Sequence, residues 1–428
     1  MNLFHHMPLG RSEVVWCPMP HVQSISVGLW FRTGSRYEPE NMHGAAHFIE
    51  HMVFKGTPRR SAFEITESIE SRGGDLNAFT SEEMTCYYAR VEAERLRLVL
   101  DVLFDMLWKS VFAAKEIERE RGVILEEMRM YDDQPNVVAH ERCNLMLWPD
   151  NSLGRPILGS ASSVGKFTKA QLVDFWQSHY RPRSLVVAVA GRVERDDLAA
   201  AVEPHVRDSR RAAFPEAWQP FRRQARRIPR WVASSRPVNQ CHITLGYESV
   251  PRNDPRRYAQ KLLSVIMGEN MSSRLFQVLR ERHGLAYSVH TSVSHFHDTG
   301  AFYIHAGIDP ENRSRTLDLL ARELKKIRIK PPTVTELRRA KDYTIGQMKL
   351  GMESTSNRMM WMGESFIGMG RLFQPQEVME AIHAVRAEDV SRLAAELFQP
   401  GRLVCSACSP DLDERALRAD GRPLQRSS

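Results

Sequence analysis

TCYYARVEAERLRLVLDVLFDMLWKS, residues 85–110, reads as a strand, TCYYARV (85–91), that runs into a long amphipathic helix, EAERLRLVLDVLFDMLWKS (92–110). The same plan occurs again. FYIHAGI (302–308) precedes ENRSRTLDLLARELKKIRI (311–329), and Val91 to Ile308 is an offset of 217. A second helix follows in each copy, AKEIERERGVILEEMRMY (114–131) and VTELRRAKDYTIGQMKLG (334–351). Each copy closes with a helix and a strand, LVDFWQSHYRPRSLVVAVAG (172–191) and VSRLAAELFQPGRLVCSACS (390–409). Upstream, SISVGLWF (24–31) and CHITLGYE (241–248) form another matching pair of strands.

The chain is therefore one plan used twice. Its alternating strands suit antiparallel sheets covered on one face. Runs of helices packed on such a sheet make an α+β domain. The expected boundaries are a first domain at 1–206, a linker at 207–227 and a second domain at 228–428. The join, RDSRRAAFPEAWQPFRRQARR, is rich in Arg, Pro and Ala and lacks periodicity.

Composition narrows the function. The 428 residues suffice for two to three domains with ordinary cores, and 42% of them are hydrophobic. Net charge is +7, without a long basic block, so nucleic acid is not an expected partner. MNLFHHMPLG lacks the pattern of a secretory signal, and no apolar run is long enough to span a membrane. Six scattered cysteines read as reduced, buried thiols, which points to the cytoplasm. Cys405 and Cys408 have redox-motif spacing but lack the helix that such a motif needs.

The chemistry sits in HGAAHFIEHMVFKGT, residues 43–57. Residues 45–55 contain no Gly or Pro and read as helix. His47 and His51 are four apart, so their rings share one face, as two ligands of one zinc would. Glu50 flanks them in the order H-x-x-E-H, in which the carboxylate serves as general base. His43 keeps the spacing, but Gly44 puts it at or before the helix start. A third ligand is sought on the helix from Lys115, which holds Glu116, Glu118, Glu120, Glu126 and Glu127. Glu120 and Glu127 are two turns apart and share a face. Most of these glutamates suit a solvated acidic surface. One of them facing the histidines would complete a His₂Glu set with the fourth position open for water. An offset of 217 carries His47 and His51 to Ser264 and Gly268, so only the first copy could hold metal.

Three stretches together, HxxEHxxFKGT, GGDLNAFTSEEMTCYY (73–88) and ERERGVILEEMRMYDDQP (118–135), resemble the pitrilysin/insulinase zinc peptidases. The similarity is strongest to short bacterial relatives of mitochondrial processing peptidase. It covers nearly the whole chain. It implies two domains, each with a sheet of about six strands and helices on one face, and two such chains closing as a clamshell dimer. It implies one Zn2+ per chain, held by His47, His51 and Glu127, with Glu50 as the base and Glu120 supporting a histidine from behind. It implies that Asn77, Ala78, Phe79 and Thr80 form the edge strand on which peptides lie. In SSRLFQVLRERHGLAYSV (272–289), it implies that Arg280 and Tyr287 face substrate carbonyls and the oxyanion. The glycine-rich loop of the processing peptidase's non-catalytic subunit is not evident, which argues against presequence-style processing.

The function so implied is a zinc endopeptidase that cuts flexible peptides inside a closed chamber. Its partners would be peptide substrates and a second copy of the chain, or else a paralogous chain. Rival readings are a maturation protease for one precursor peptide, a non-catalytic scaffold subunit and a non-peptidase zinc hydrolase. Scaffold relatives lose the metal motif, and this chain keeps it. The strand-binding segment disfavours the last.

Overall fold

A computed structural model describes residues 3–206, 218–221 and 230–425. The expected linker at 207–227 lies outside the described residues except for 218–221. Two compact units emerge. The first comprises Met1–Met128, Pro156–Gln219 and Met348–Glu377; the second comprises Arg129–Arg155, Pro220–Gln347 and Val378–Ser428.

The sheet of the first unit has six strands: β1 (His5–Leu9), β2 (Ser12–Pro18), β3 (Ser24–Phe31), β4 (Asp75–Thr80), β5 (Thr85–Glu92) and β6 (Leu185–Gly191). Their order is β1-β2-β6-β3-β5-β4, which leaves β4 on an edge. The second unit has five described strands: β7 (Arg230–Ser235), β8 (Cys241–Ser249), β9 (Ala286–His295), β10 (Gly300–Ile308) and β11 (Leu403–Ser409). Their order is β7-β11-β8-β10-β9. The expected pair of α+β domains with sheets of about six strands is thus observed.

Two features go beyond the expectation. One neighbouring pair in each sheet is parallel, β2 with β6 and β7 with β11. Alternation within a strand sets its faces, not the direction of its neighbour, so this was not legible locally. Both faces of each sheet are also covered. Val27, Leu29 and Phe31 of β3 point into the main core with the helices α1 (Ala45–Val53), α2 (Ala62–Glu70), α3 (Leu96–Lys109) and α4 (Ala114–Asp132). Trp30 of the same strand points the other way, against Met359 and Met362 of the helix Thr355–Met369. In the second unit, Leu245 and Tyr247 enter the main core. On the opposite face, α5 (Pro135–Leu147) sets Cys143 and Leu147 beside Val404 and Tyr303.

The covering helices are out of register with their own copies. Each belongs to the unit whose sheet comes from the other half of the chain. Gly28 and Gly246, 218 positions apart, make room for them. A Cβ on Gly28 would lie 2.3 Å from the Met359 sulfur, and one on Gly246 would lie 2.4 Å from the Cys143 sulfur. Polar-looking positions on these strands are therefore close-approach positions, not solvent-facing ones. All six cysteines are buried free thiols, including Cys405 and Cys408 on β11.

Candidate metal centre

The site begins with the start of α1. Gly44 takes φ +96 immediately before the helix, a conformation that other residues rarely adopt. The Glu38 carboxylate accepts hydrogen bonds from the backbone N–H groups of Gly44 (2.8 Å) and Ala46 (2.7 Å). It satisfies donors that the helix itself leaves open, and it sits at the positive end of the helix dipole. His43 stays outside the helix, its Nε2 2.7 Å from the Pro156 carbonyl oxygen.

On α1, His47 and His51 lie one turn apart with ring centroids 4.8 Å apart. Helix α4 turns Glu120 and Glu127 toward them. Glu127 Oε2 lies 3.8 Å from His47 Nε2 and 3.7 Å from His51 Nε2. The three donor atoms are all within 4.8 Å of one another, and no other such group occurs among the described residues. These separations are too long for hydrogen bonds between the groups. They are close to the roughly 3.4 Å that separates two ligand atoms around a tetrahedral zinc. Two imidazole nitrogens and one carboxylate oxygen also match the donor chemistry of catalytic zinc sites. The residues fit such an ion.

Glu120 sets the tautomer of one ring. His51 Nδ1 donates to Glu120 Oε2 at 3.1 Å, so its Nε2 keeps a lone pair for the centre. Lys55 Nζ lies 2.9 Å from the other Glu120 oxygen. Burial of Glu120 alone would raise its pKa; the hydrogen bonds from His51 and Lys55 outweigh burial and hold it below the usual carboxylate range. Burial, with the His51 ring beside it, pushes His47 down to about 3 and keeps its imidazole neutral.

Glu50 stands on the same helix. Burial raises its pKa, and the nearby Glu127 adds to this; a hydrogen bond from Thr80 and the His51 ring work in the opposite direction. That hydrogen bond runs from Thr80 Oγ1 to Glu50 Oε2 at 2.5 Å. Thr80 ends β4, the edge strand that also carries Asn77, Ala78 and Phe79. His47, Glu50, His51, Thr80, Glu120 and Glu127 are therefore gathered in one place.

Arg280 and Tyr287 lie in the second unit, and they too are neighbours. The Arg280 guanidinium donates to the Tyr287 carbonyl oxygen at 3.1 Å and stands 5.8 Å from the tyrosine ring centroid. The Tyr287 side chain is 76% exposed at the start of β9. At the positions equivalent to the histidines, Ser264 bonds Thr291 at 3.0 Å, and Gly268 packs against that same threonine.

Sequence reasoning missed Glu38 and Lys55, and it missed the bond from Thr80 to Glu50. Lys55 had a signal, since it follows His51 by four positions. Glu38 had a weaker one, an acidic residue just before a helix start. Nothing local ties Thr80 to a residue thirty positions earlier.

Known proteins resemble this chain in sequence and in fold. The family model described as Insulinase (Peptidase family M16) matches residues 14–161. The model described as Peptidase M16 inactive domain matches residues 166–343. An uncharacterized zinc protease of Streptomyces coelicolor is 37% identical over 413 residues, covering 96% of this chain and 90% of that protein. One from Bacillus subtilis is 34% identical, with 89% and 91% covered. A protease structure from Helicobacter pylori superposes with a TM-score of 0.90 at 21% identity, over 96% of this chain and 100% of that one, and so shares the fold.

Proposed function

The chain belongs to the insulinase family of peptidases, family M16, and is a zinc metallopeptidase; from that premise we propose that it is an endopeptidase for flexible peptides, with His47, His51 and Glu127 as the zinc ligands. The observation that carries this reading is the convergence of those three donors, with Glu50 on the same helix and hydrogen-bonded to the edge strand. The zinc-bearing half is 1–206, and the half at 228–428 carries the Arg280–Tyr287 pair.

The peptide lies along β4 as an added strand. An edge strand offers unpaired backbone donors and acceptors, and these bind main chain with little demand on sequence. Zinc, when bound, supplies Lewis-acid polarisation of the scissile carbonyl and acidifies water. Glu50 accepts a proton from the attacking water and passes it to the departing amine. Its raised pKa suits a group that must take and then release a proton. Thr80 holds one oxygen of Glu50, which leaves the other to meet the water. Tyr287 and Arg280 supply donors for the oxyanion. Two chains form a homodimer around a closed chamber, and the Arg–Tyr half of one protomer completes the zinc half of the other. Six buried free thiols suit a reducing compartment such as the cytoplasm. The scaffold alternative is disfavoured by the intact donor set.

The test is a library of unstructured peptides incubated with the purified protein, with and without a chelator, and mapped by mass spectrometry. Cuts that vanish with the chelator and return with added zinc are the expected result. No cleavage of any peptide by zinc-loaded protein would overturn the reading.

A further inference from the structure

The second unit contains a cleft of about 1060 Å³ between the segment 272–282, the end of the helix Arg313–Ile329 and the start of the helix Val334–Gly351. Its lining is heavily cationic. Part of that charge is already neutralised. Arg274 makes two bonds to Glu336, at 2.8 and 3.1 Å, and Lys326 lies 2.6 Å from Glu323. Arg322 lies 2.7 Å from Asp318. Arg282, Lys325, Lys330 and Arg339 remain, all exposed and all without an ion pair among the described residues.

Lysines near a helix C-terminus complement its dipole, and that accounts for Lys325 and Lys330 taken alone. It does not account for Arg282 or Arg339, which reach the same cleft from two other elements. Four unpaired cations lining one cleft make its potential positive, which favours the entry of an anion.

The rest of the wall selects the kind of anion. The positive end of the helix Val334–Gly351 is where a phosphate would otherwise sit. Glu336 fills it, accepting from the Thr333 backbone N–H at 2.8 Å. The free cations are spread over three elements, which suits several separated single charges. Beside them stands a large apolar side chain in water, Ile329, at 69% exposure. A ligand that meets both needs carries spaced carboxylates and an apolar side chain.

We propose that this cleft binds an acidic, partly apolar polypeptide segment in extended form, with Arg282, Lys325, Lys330 and Arg339 on its carboxylates and Ile329 on its apolar side chain. The cleft lies wholly within the second unit, and its chemistry does not depend on the metal centre.

The experiment is fluorescence anisotropy with the full chain in the presence of a zinc chelator, so that the answer does not depend on cleavage. The probe is a labelled peptide of Asp and Glu interspersed with Leu. The comparison peptides have Asn and Gln in place of the acids, or Ser in place of Leu. The acidic apolar peptide should bind, and binding should weaken with added salt. The triple variant Lys325→Ala, Lys330→Ala, Arg339→Ala should lose about tenfold or more in affinity, because three exposed charge pairs are removed together. Its melting temperature should fall by no more than a few degrees, since all three side chains are exposed and at most the helix-dipole contribution of the two lysines is lost. Ile329→Ser should weaken the Leu-bearing peptide and leave the Ser-bearing one unchanged. Equal binding of the Asn/Gln peptide would overturn the proposal. So would unchanged affinity in the triple variant, or full displacement by inorganic tripolyphosphate with no preference for Leu over Ser.

Discussion

Thr80 donates its hydroxyl to Glu50, so the last residue of the edge strand holds the carboxylate beside the histidine pair. Strand and helix are joined at the one group proposed to move protons. Thr80→Val keeps the shape and removes the donor. It leaves one oxygen of the half-buried Glu50 carboxylate short of a partner and free to turn. We expect kcat to fall by about tenfold to a hundredfold, with KM and zinc content little changed, since general-base work supplies about 10²–10⁴. Thr80→Ser should restore most of the loss. Steady-state kinetics of both variants decide the matter; equal loss in Val and Ser would show that the hydroxyl is not the cause. Glu50→Gln should keep zinc and lose nearly all activity.

Metal retention is a separate measurement. His51→Ala removes one of the three convergent donors, and metal analysis after dialysis should find zinc largely gone. Glu120→Ala removes the acceptor that fixes the His51 ring, and zinc affinity should fall by about 10–100-fold. Lys55→Ala acts one step further out, through Glu120, and should cost less than Glu120→Ala. A chelator titration that ranks Lys55→Ala above Glu120→Ala would contradict this order of support.

Spacing alone placed His47 and His51 on one helix face, and Gly44 marked the helix start at the observed position. The offset of 217–218 carried the two-fold plan, because repeats persist in local pattern. What the pattern could not carry was partnership at long range. Nothing in PNVVAHERCNLML tells which sheet that helix will cover, since its few apolar residues fit any apolar surface of the right shape. The small residues Gly28 and Gly246 were the trace of it, and they become readable only once the helices above them are known. Thr80 and Glu38 escaped for the same reason. Their roles come from where the chain returns, not from their neighbours in sequence.

Acid should weaken the second unit in a defined way. His305 lies between His290 and His140, with ring centroids 4.6 and 5.5 Å away. Burial, with those two rings beside it, pushes His305 down to about 3. An unfolded imidazole titrates near about 6.5, so between these values the unfolded chain binds the extra proton. Stability is therefore complete above the unfolded value and is lost as pH falls toward the folded one. The loss should be at most about 1 kcal/mol per pH unit after solvent screening. Denaturant melts of chelated protein should show a falling midpoint from about pH 7 to pH 5, and His305→Gln should flatten that slope. An identical slope in the variant would remove His305 as a cause.

The last prediction concerns assembly. Each chain has one half with the histidine pair and one half with Arg280 and Tyr287. In the long insulinase-type enzymes that the sequence resembles, the zinc domain is first of four and the Arg–Tyr pair sits in the fourth. These 428 residues hold two such domains. The partner chain should then supply the missing part, so that each active site of a two-fold dimer is built from both protomers. Complementation tests this directly. Glu50→Gln and Tyr287→Phe proteins, each strongly impaired alone, are mixed and allowed to exchange subunits. With sites built from both protomers, a mixed dimer holds one doubly damaged site and one intact site. Random assembly makes about half the dimers mixed, so about a quarter of all sites should recover. If the pair acts within its own chain, every site keeps one lesion and mixing restores nothing. Recovery near a quarter of wild-type activity is the expected result. A flat response, with exchange confirmed by mass spectrometry of labelled subunits, would rule out the shared site in a homodimer.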